Sequence, residues 1–505
     1  MEYVLGIDVG SSSVKAGVFT LAGSLAAMFT RAYTAREPHP GWKEQDAEIW
    51  WNAVADALRQ IAVEIDTRQI RAIGCAGHIC SHTFVNRLGR PLRASLGFQD
   101  QRAAAEVAVL NARFSRRELA AELGIDLPPA ATWPLPRLMW LQANDPEVLE
   151  QAHYVLQPKD FINFQLTGEF ASDASSNRGL VSLATGRPPS SILSRLGLPE
   201  RLLPVIYPPE RVIGRVSGVA AAATGLAPGT PVVAGWNDLN ASVLGSGTVG
   251  HGAAFDVTGS SEHAGVVTAT DRRAPELMCA PFLPGKSLFY GVTSNGGSAL
   301  AWCCDLFEID ITDASDIAAG APAGAGGLFF LPYLDGERAP IWDPCAAGAF
   351  VGIRTHHTRA HFLRAVLEGV AFSLAQILEA VEREAGVRAP AIVISGGAAR
   401  VRLWNNIKAN VWGRPAIVAE HVHTGALGAA MLAAAGVGRF SSCVAAAEEM
   451  VRSSEAHEVV PELTDPYRQT YLEFCGLYPS LQKHFNQAAR WKVEAKESLC
   501  PVKPR

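Results

Sequence analysis

Two short apolar runs separated by small polar residues open the chain. Val4-Leu5-Gly6-Ile7-Asp8-Val9 and Val14-Lys15-Ala16-Gly17-Val18-Phe19 flank Gly10-Ser11-Ser12-Ser13. β-branched runs around a Gly/Ser turn predict a hairpin. Further on, Trp50, Val54 and Leu58 recur at the spacing of a helical turn, with Asp46 placed to cap them, so residues 46–61 are expected to be a helix. Strands are expected at 70–75, 231–235 and 391–395. The second ends in a Gly turn, and the third runs into Gly396-Gly397-Ala398. Ala365, Gly369, Ser373 and Ile377 make one stripe of a helix over 361–381, and 425–434 reads as a tightly packed Ala-rich helix. The stretches 204–209 and 320–327 read as loops. This alternation of strands and helices argues for the α/β class.

The opening hairpin recurs. Aligned on Asp8 and Asp256, DVGSSSVKAGV lies over DVTGSSEHAGV; the Asp, Val, two Ser, Ala, Gly and final Val positions coincide at an offset of 256 − 8 = 248. That offset is close to half of 505 residues. Two copies do not build a solenoid. They predict two related domains, 1–244 and 245–505, each opening with the same hairpin across a shared cleft.

Composition narrows the class. Apolar residues make up 48% and charged residues 18%, which excludes disordered, collagen-like and coiled-coil chains. Lys and Arg number 44 against 49 Asp and Glu, a net charge of −5, so no nucleic-acid partner is expected. Met1-Glu2-Tyr3-Val4 lacks a cationic leader and no signal peptide is expected. The uncharged runs 216–237 and 317–334 are broken by Gly and Pro, so no membrane span is expected either. Nine scattered Cys without a Cys-x-x-Cys point to reduced thiols and the cytoplasm.

A Gly/Ser loop between strands can turn successive N–H groups toward an anion. The loops at Gly10, Ser11 and Ser12 and at Gly259, Ser260 and Ser261 are therefore candidate phosphate sites, able to clamp a triphosphate from two sides. Asp8, at the base of the first loop, suits hydrated Mg²⁺, which meets only one or two carboxylates. Lys15 can face a phosphate or be a solvated strand lysine. Gly396, Gly397 and Ala398, at a strand-to-helix turn, suit a nucleotide lying against backbone. Asp238, just past the strand at 231–235, is a candidate general base and equally a candidate helix cap. The segment 280–287 resembles a loosened P-loop, but Pro281 and Pro284 carry no N–H and a strand rather than a helix follows. His357 with His361 and the adjacent Cys303 and Cys304 read as structural. No Gly-x-Ser-x-Gly elbow argues for a hydrolase.

Together these pieces resemble the FGGY carbohydrate kinases of the actin-like ATPase superfamily. GIDVGSSSVKAGVF (6–19), GWKEQDAEIWW (41–51), FQDQR (98–102) and LQPKDFINFQLTGEFASD (156–173) look like motifs of the family's first half. FLPYLDGERAP (330–340), LEGVAF (367–372), SGGAARVRLW (395–404) and GALGAAMLA (425–433) are similar to motifs of its second half. The resemblance implies an α/β chain with two actin-like (ribonuclease H-like) ATPase domains facing a central cleft, sugar on the N-terminal side and nucleotide on the C-terminal side. It implies transfer of the γ-phosphoryl group of Mg-ATP to a small-molecule sugar, and it favours a homodimer. Carried onto this sequence, Asp238 would be the base and Asp8 would hold Mg²⁺. Gly10, Ser11, Ser12 and Lys15 with Gly259, Ser260 and Ser261 would meet phosphates, and Gly396, Gly397 and Ala398 the nucleotide. His78, Ile79, Cys80, Asp100, Arg102 and Asp238 would face the sugar.

Within the family the segments at 156–173 and 330–338 are most similar to xylulokinases, making D-xylulose the expected substrate. Two positions depart from that pattern. Gly77-His78-Ile79-Cys80-Ser81 stands where xylulokinases have GQMHG, and Leu239 stands where an Asn follows the Asp. Gluconate, another ketopentose or erythritol are the alternatives, ahead of a regulator that binds without turnover.

Overall fold

The computed structural model describes residues 2–269, 274 and 276–498. They form two units. The first comprises Met1–Val249, Ala269–Leu288 and His423–Arg452; the second comprises Gly250–Thr268, Phe289–Val422 and Ser453–Arg505.

In the first unit the hairpin is Tyr3–Val9 paired antiparallel with Ser13–Thr20, with Leu25–Ala32 on its outer side. On the other side Tyr3–Val9 runs parallel to Ile70–Gly77, which neighbours Pro231–Val233. Parallel neighbours need a crossover. Helix Ala47–Glu64 lies in that connection, capped by the Asp46 carboxylate accepting from Glu48 N. Its Trp50, Val54, Leu58 and Ile61 enter one core with Leu5, Ile7 and Ile73. Residues between Ile70–Gly77 and Pro231–Val233 add a helical insertion with its own apolar cluster, including Leu123, Leu138 and Leu193.

The opposite face of this sheet is covered by helix Thr424–Gly436, from late in the chain. All its residues from Thr424 to Ala434 are buried. A Cβ on Gly6 would overlap Ala426 O, and one on Gly74 would overlap Ala429 O. The glycines let helix backbone touch strand backbone, and this contact explains the small-residue composition of 425–434.

The second unit repeats the order. Ser287–Val292, His263–Thr268, Ala254–Thr258, Ile392–Gly396 and Ala416–Ala419 lie side by side, with Ala254–Thr258 parallel to Ile392–Gly396. The repeat thus extends from one hairpin to a whole sheet. One detail differs. Asp8 lies opposite Lys15, whereas Asp256 lies opposite Ala264. The second loop holds one more residue before its return strand, so the register slips by one and every cross-strand partner changes.

Helix Arg359–Ala385 packs on this second sheet. The last helix, Pro461–Ser498, continues past Trp491, where the apolar periodicity of the sequence fades. Among the described residues no disulfide joins any of the eight cysteines. Among the described residues, no helix is long and apolar enough to cross a membrane.

Candidate functional site

Strand Pro231–Val233 reaches Asp238 through a tight turn. Gly235 sits at φ +76°, and a Cβ there would overlap Cys75 O, so only glycine fits. Asn237, not Asp238, caps the following helix Asp238–Gly245: its Oδ1 accepts from Asn240 N at 2.9 Å. Asp238 is the first helical residue. Its Oδ1 accepts from Leu239 N at 2.8 Å, and among the described residues no donor reaches its Oδ2. Burial pushes the Asp238 carboxyl up to about 7, helped by the nearby charge of Asp8 and opposed by the Leu239 N–H and Arg178. A carboxylate poised near neutrality with one free oxygen has the properties of a general base.

Asp8 lies near the end of Tyr3–Val9 and is buried. Its Oδ1 meets no hydrogen-bond donor among the described residues. Burial raises its pKa while Lys15, its cross-strand neighbour, lowers it. A Cβ on Gly425 would stand 2.7 Å from Asp8 Oδ2, so the start of helix Thr424–Gly436 comes close to this carboxylate. The loop beyond is held from behind. Tyr33 OH donates to Gly10 O, Gln45 Nε2 to Ser11 O at 2.9 Å and Tyr33 N to Ser12 O at 2.9 Å. With its carbonyls tied back, the loop keeps the N–H groups of Ser11 and Ser12 without an acceptor among the described residues. That is the construction of an anion nest.

The second loop is built the same way from different parts. Gly259 O accepts from Gly297 N at 2.9 Å. Ser260 O accepts from Gly296 N at 2.7 Å, Ser298 N at 3.2 Å and Ser298 Oγ at 2.8 Å. The N–H groups of Ser260 and Ser261 have no acceptor among the described residues. Gly396 pairs with Thr258, and Ala398 N donates to Thr258 Oγ1 at 3.0 Å. Gly396 has φ +93°, and a Cβ on it would overlap Thr258 O. The residues expected to meet a nucleotide in this unit are therefore neighbours.

Behind this loop Lys408 Nζ lies 2.6 Å from Asp256 Oδ2 and 2.7 Å from Glu262 Oε2, all three side chains being buried. Burial alone would lower the Lys408 pKa, but the two acids outweigh it and the net shift is upward. Burial raises the Glu262 carboxyl while Lys408 pulls it down. Asp256 repeats the sequence position of Asp8 but is engaged by a cation.

The segment at 77–81 turns its imidazole inward. His78 donates from Nδ1 to Val9 O at 2.9 Å and accepts at Nε2 from Ser81 Oγ at 2.9 Å. Burial holds its pKa down to about 4, which keeps the ring neutral. Ile79 and Cys80 are partly exposed; Cys80 sits at φ +62°, and its carbonyl accepts from the buried Arg137 at 2.6 Å. Asp100 accepts from Lys43 N at 2.7 Å and from Arg102 Nε at 2.8 Å. Arg102 also donates to Glu44 Oε1 at 2.7 Å and lies 4.0 Å over the Trp42 ring. Asp100 and Arg102 thus fasten the GWKEQD segment. Arg102 Nη1 is buried without a hydrogen-bond partner.

Lys286, in the P-loop-like segment, donates to Val249 O at 2.6 Å, and Ser287 begins a strand. His357 Nε2 contacts Gly326 O at 3.2 Å, and among the described residues no group of three His, Cys, Asp or Glu side chains gathers as a metal site.

Several site residues were not singled out from sequence. Gln45 lies inside GWKEQD and Lys159 inside LQPKD, so the motifs carried them without a role. Tyr33, Ser175 and Lys408 carry no local signal.

Residues 3–245 match the N-terminal domain of the FGGY family of carbohydrate kinases, and residues 255–437 match its C-terminal domain. The xylulose kinase of Escherichia coli is 33% identical over 436 residues, 85% of this chain and 89% of that protein. The gluconokinase of Bacillus licheniformis is 26% identical over 508 residues, 97% of this chain and 98% of that protein. Among solved structures, xylulose kinase from Rhodospirillum rubrum superposes with a TM-score of 0.84 at 30% identity, covering 96% of this chain and 100% of that one. Gluconate kinase from Lactobacillus acidophilus gives 0.87 at 25% identity, covering 96% and 99%.

Proposed function

The chain belongs to the FGGY family of carbohydrate kinases, with two actin-like ATPase domains, and on that premise we propose that it phosphorylates D-xylulose with Mg-ATP through Asp238 as general base. The observation that carries this reading is the state of Asp238: one oxygen is free and its carboxyl is pushed up to about 7. Such a group takes the proton of a sugar hydroxyl as the oxygen attacks phosphorus.

Mg-ATP supplies the transferable phosphoryl group and the charge neutralisation its transfer needs. The residues present suit it. Asp8 offers an oxygen with no protein donor, and its charge keeps Asp238 basic. The free N–H groups of Ser11 and Ser12, and those of Ser260 and Ser261, suit phosphate oxygens. Gly396, Gly397 and Ala398 offer close backbone approach for the rest of the nucleotide.

The choice of D-xylulose rests on the relatives named xylulose kinase, 27–33% identical over most of the chain. A sugar acid or polyol such as gluconate is the second reading. Leu239 favours it, because a leucine beside the base cannot pair a hydroxyl, and such pairing discriminates strongly between sugars. Cysteines that form no disulfide among the described residues suit a reducing, cytoplasmic setting.

The test is a panel of ketoses, polyols and sugar acids, following sugar-dependent ADP release from Mg-ATP. D-xylulose is expected to give the highest kcat/KM. Gluconate in first place would replace the substrate, and a panel without stimulation would indicate a binder without turnover.

A further inference from the structure

A continuous line of buried polar groups ends at the turn that presents Asp238. Lys159, in the first turn of helix Pro158–Thr167, is fully buried. Its Nζ lies 2.6 Å from Asp160 Oδ1 and 3.0 Å from Asp173 Oδ2. Asp173 Oδ1 accepts from Ser175 Oγ at 2.6 Å, and Ser175 Oγ accepts in turn from Asn237 Nδ2 at 2.8 Å. Asn237 Oδ1 then caps the helix that begins with Asp238. The other end of the turn is held by the same helix: Ala234 O accepts from Lys159 Nζ at 3.2 Å and from Asn163 Nδ2 at 2.8 Å.

The proton inventory makes the line directional. Ser175 has one hydroxyl hydrogen. Asp173, paired with a lysine, is an acceptor only, so the hydrogen goes to Asp173 and a lone pair faces Asn237. Asn237 must then present its NH₂ to Ser175 and its carbonyl to Asn240 N. Without the hydroxyl the Asn237 NH₂ loses its acceptor, the bond from Asn240 N is left as the one tie on the amide among the described residues, and the cap at Asp238 loosens.

We propose that Lys159, Asp173, Ser175 and Asn237 form a positioning relay that aims the free oxygen of Asp238, with Ser175 as its deciding member. The inference rests on Asp238 being the base. Small misplacements of a reacting group cost rate rather than binding.

The experiment compares Ser175→Ala, Ser175→Thr and Asp238→Asn in the full chain, with D-xylulose and Mg-ATP as probes and ATP binding titrated separately. Ser175→Ala is expected to lower kcat by about 10–100-fold, the range for a misplaced reacting group. The KM for sugar and the affinity for ATP should hold, and the acid limb of the pH–rate profile should move. Ser175→Thr, which restores the hydroxyl, should restore most of kcat. Normal kcat in Ser175→Ala beside an inactive Asp238→Asn would overturn the relay and leave the base intact. A loss shared equally by ATP affinity and sugar KM, or one that Ser175→Thr does not repair, would also overturn it. Near-normal turnover in Asp238→Asn would instead remove the base reading itself.

Discussion

Lys408 Nζ stands 2.6 Å from Asp256 Oδ2, and this contact separates two copies of one hairpin by chemistry. Asp8 holds the matching place 248 residues earlier (256 − 8); each acid keeps an Oδ1 without a hydrogen-bond partner among the described residues, but Asp256 alone of the two has a lysine in contact. In the second copy the acid is neutralised and braces a loop; in the first it is available. Removing the cation should therefore be costly. Lys408→Met leaves two buried carboxylates uncompensated and should cost about 3–5 kcal/mol, as broken buried pairs do. Urea unfolding measures it. The triple change Lys408→Met, Asp256→Asn, Glu262→Gln should recover most of the loss.

Asp238 sets the pH dependence of the reaction. The base must be ionised, so kcat/KM should fall about tenfold per unit well below pH 7, the limiting slope for one required deprotonation, and level off above it. A pH–rate profile on D-xylulose checks this.

The same group links stability to pH in the opposite sense. Between the ordinary carboxylate range and about pH 7, folded Asp238 keeps a proton that the unfolded chain has released. Stability from this group is present at low pH and declines as pH rises toward 7. Asp238→Asn removes the penalty, so its Tm should exceed the parent's at pH 8 by more than at pH 5. Thermal melts at the two pH values check it.

The free amides of the second loop should govern nucleotide binding. Ser260→Val places a branched side chain over them. It should weaken ATP binding by about 10–100-fold, the loss of a hydrogen bond or two to a charged oxygen. Calorimetric titration of ATP without sugar reads this directly. Unchanged affinity would remove the loop from the nucleotide site.

Legibility followed sequence distance. The hairpins, the helix capped by Asp46 and the strand that delivers Asp238 were readable because apolar period and turn residues are local. The 248-residue offset was readable because both copies kept small residues in their loops. The one-residue register slip was not, since it depends on how many residues the folded loop takes up. Lys408 and Asp256 lie 152 residues apart, and no periodicity announces such a pair. Asp238 offered two roles from sequence; the choice turned on its neighbour Asn237 taking the cap. Asp100 and His78 gave residue types suited to a sugar, while the fold spends much of their hydrogen bonding on Lys43, Arg102, Val9 and Ser81.

The most direct test of the account is Asp238→Asn assayed for sugar-dependent ADP release, with ATP binding measured on the same protein. A drop in kcat of about 10²–10⁴, the usual worth of a general base, with ATP affinity retained, is the predicted result. Turnover close to the parent's would contradict it and leave Asp238 as no more than the first residue of a helix.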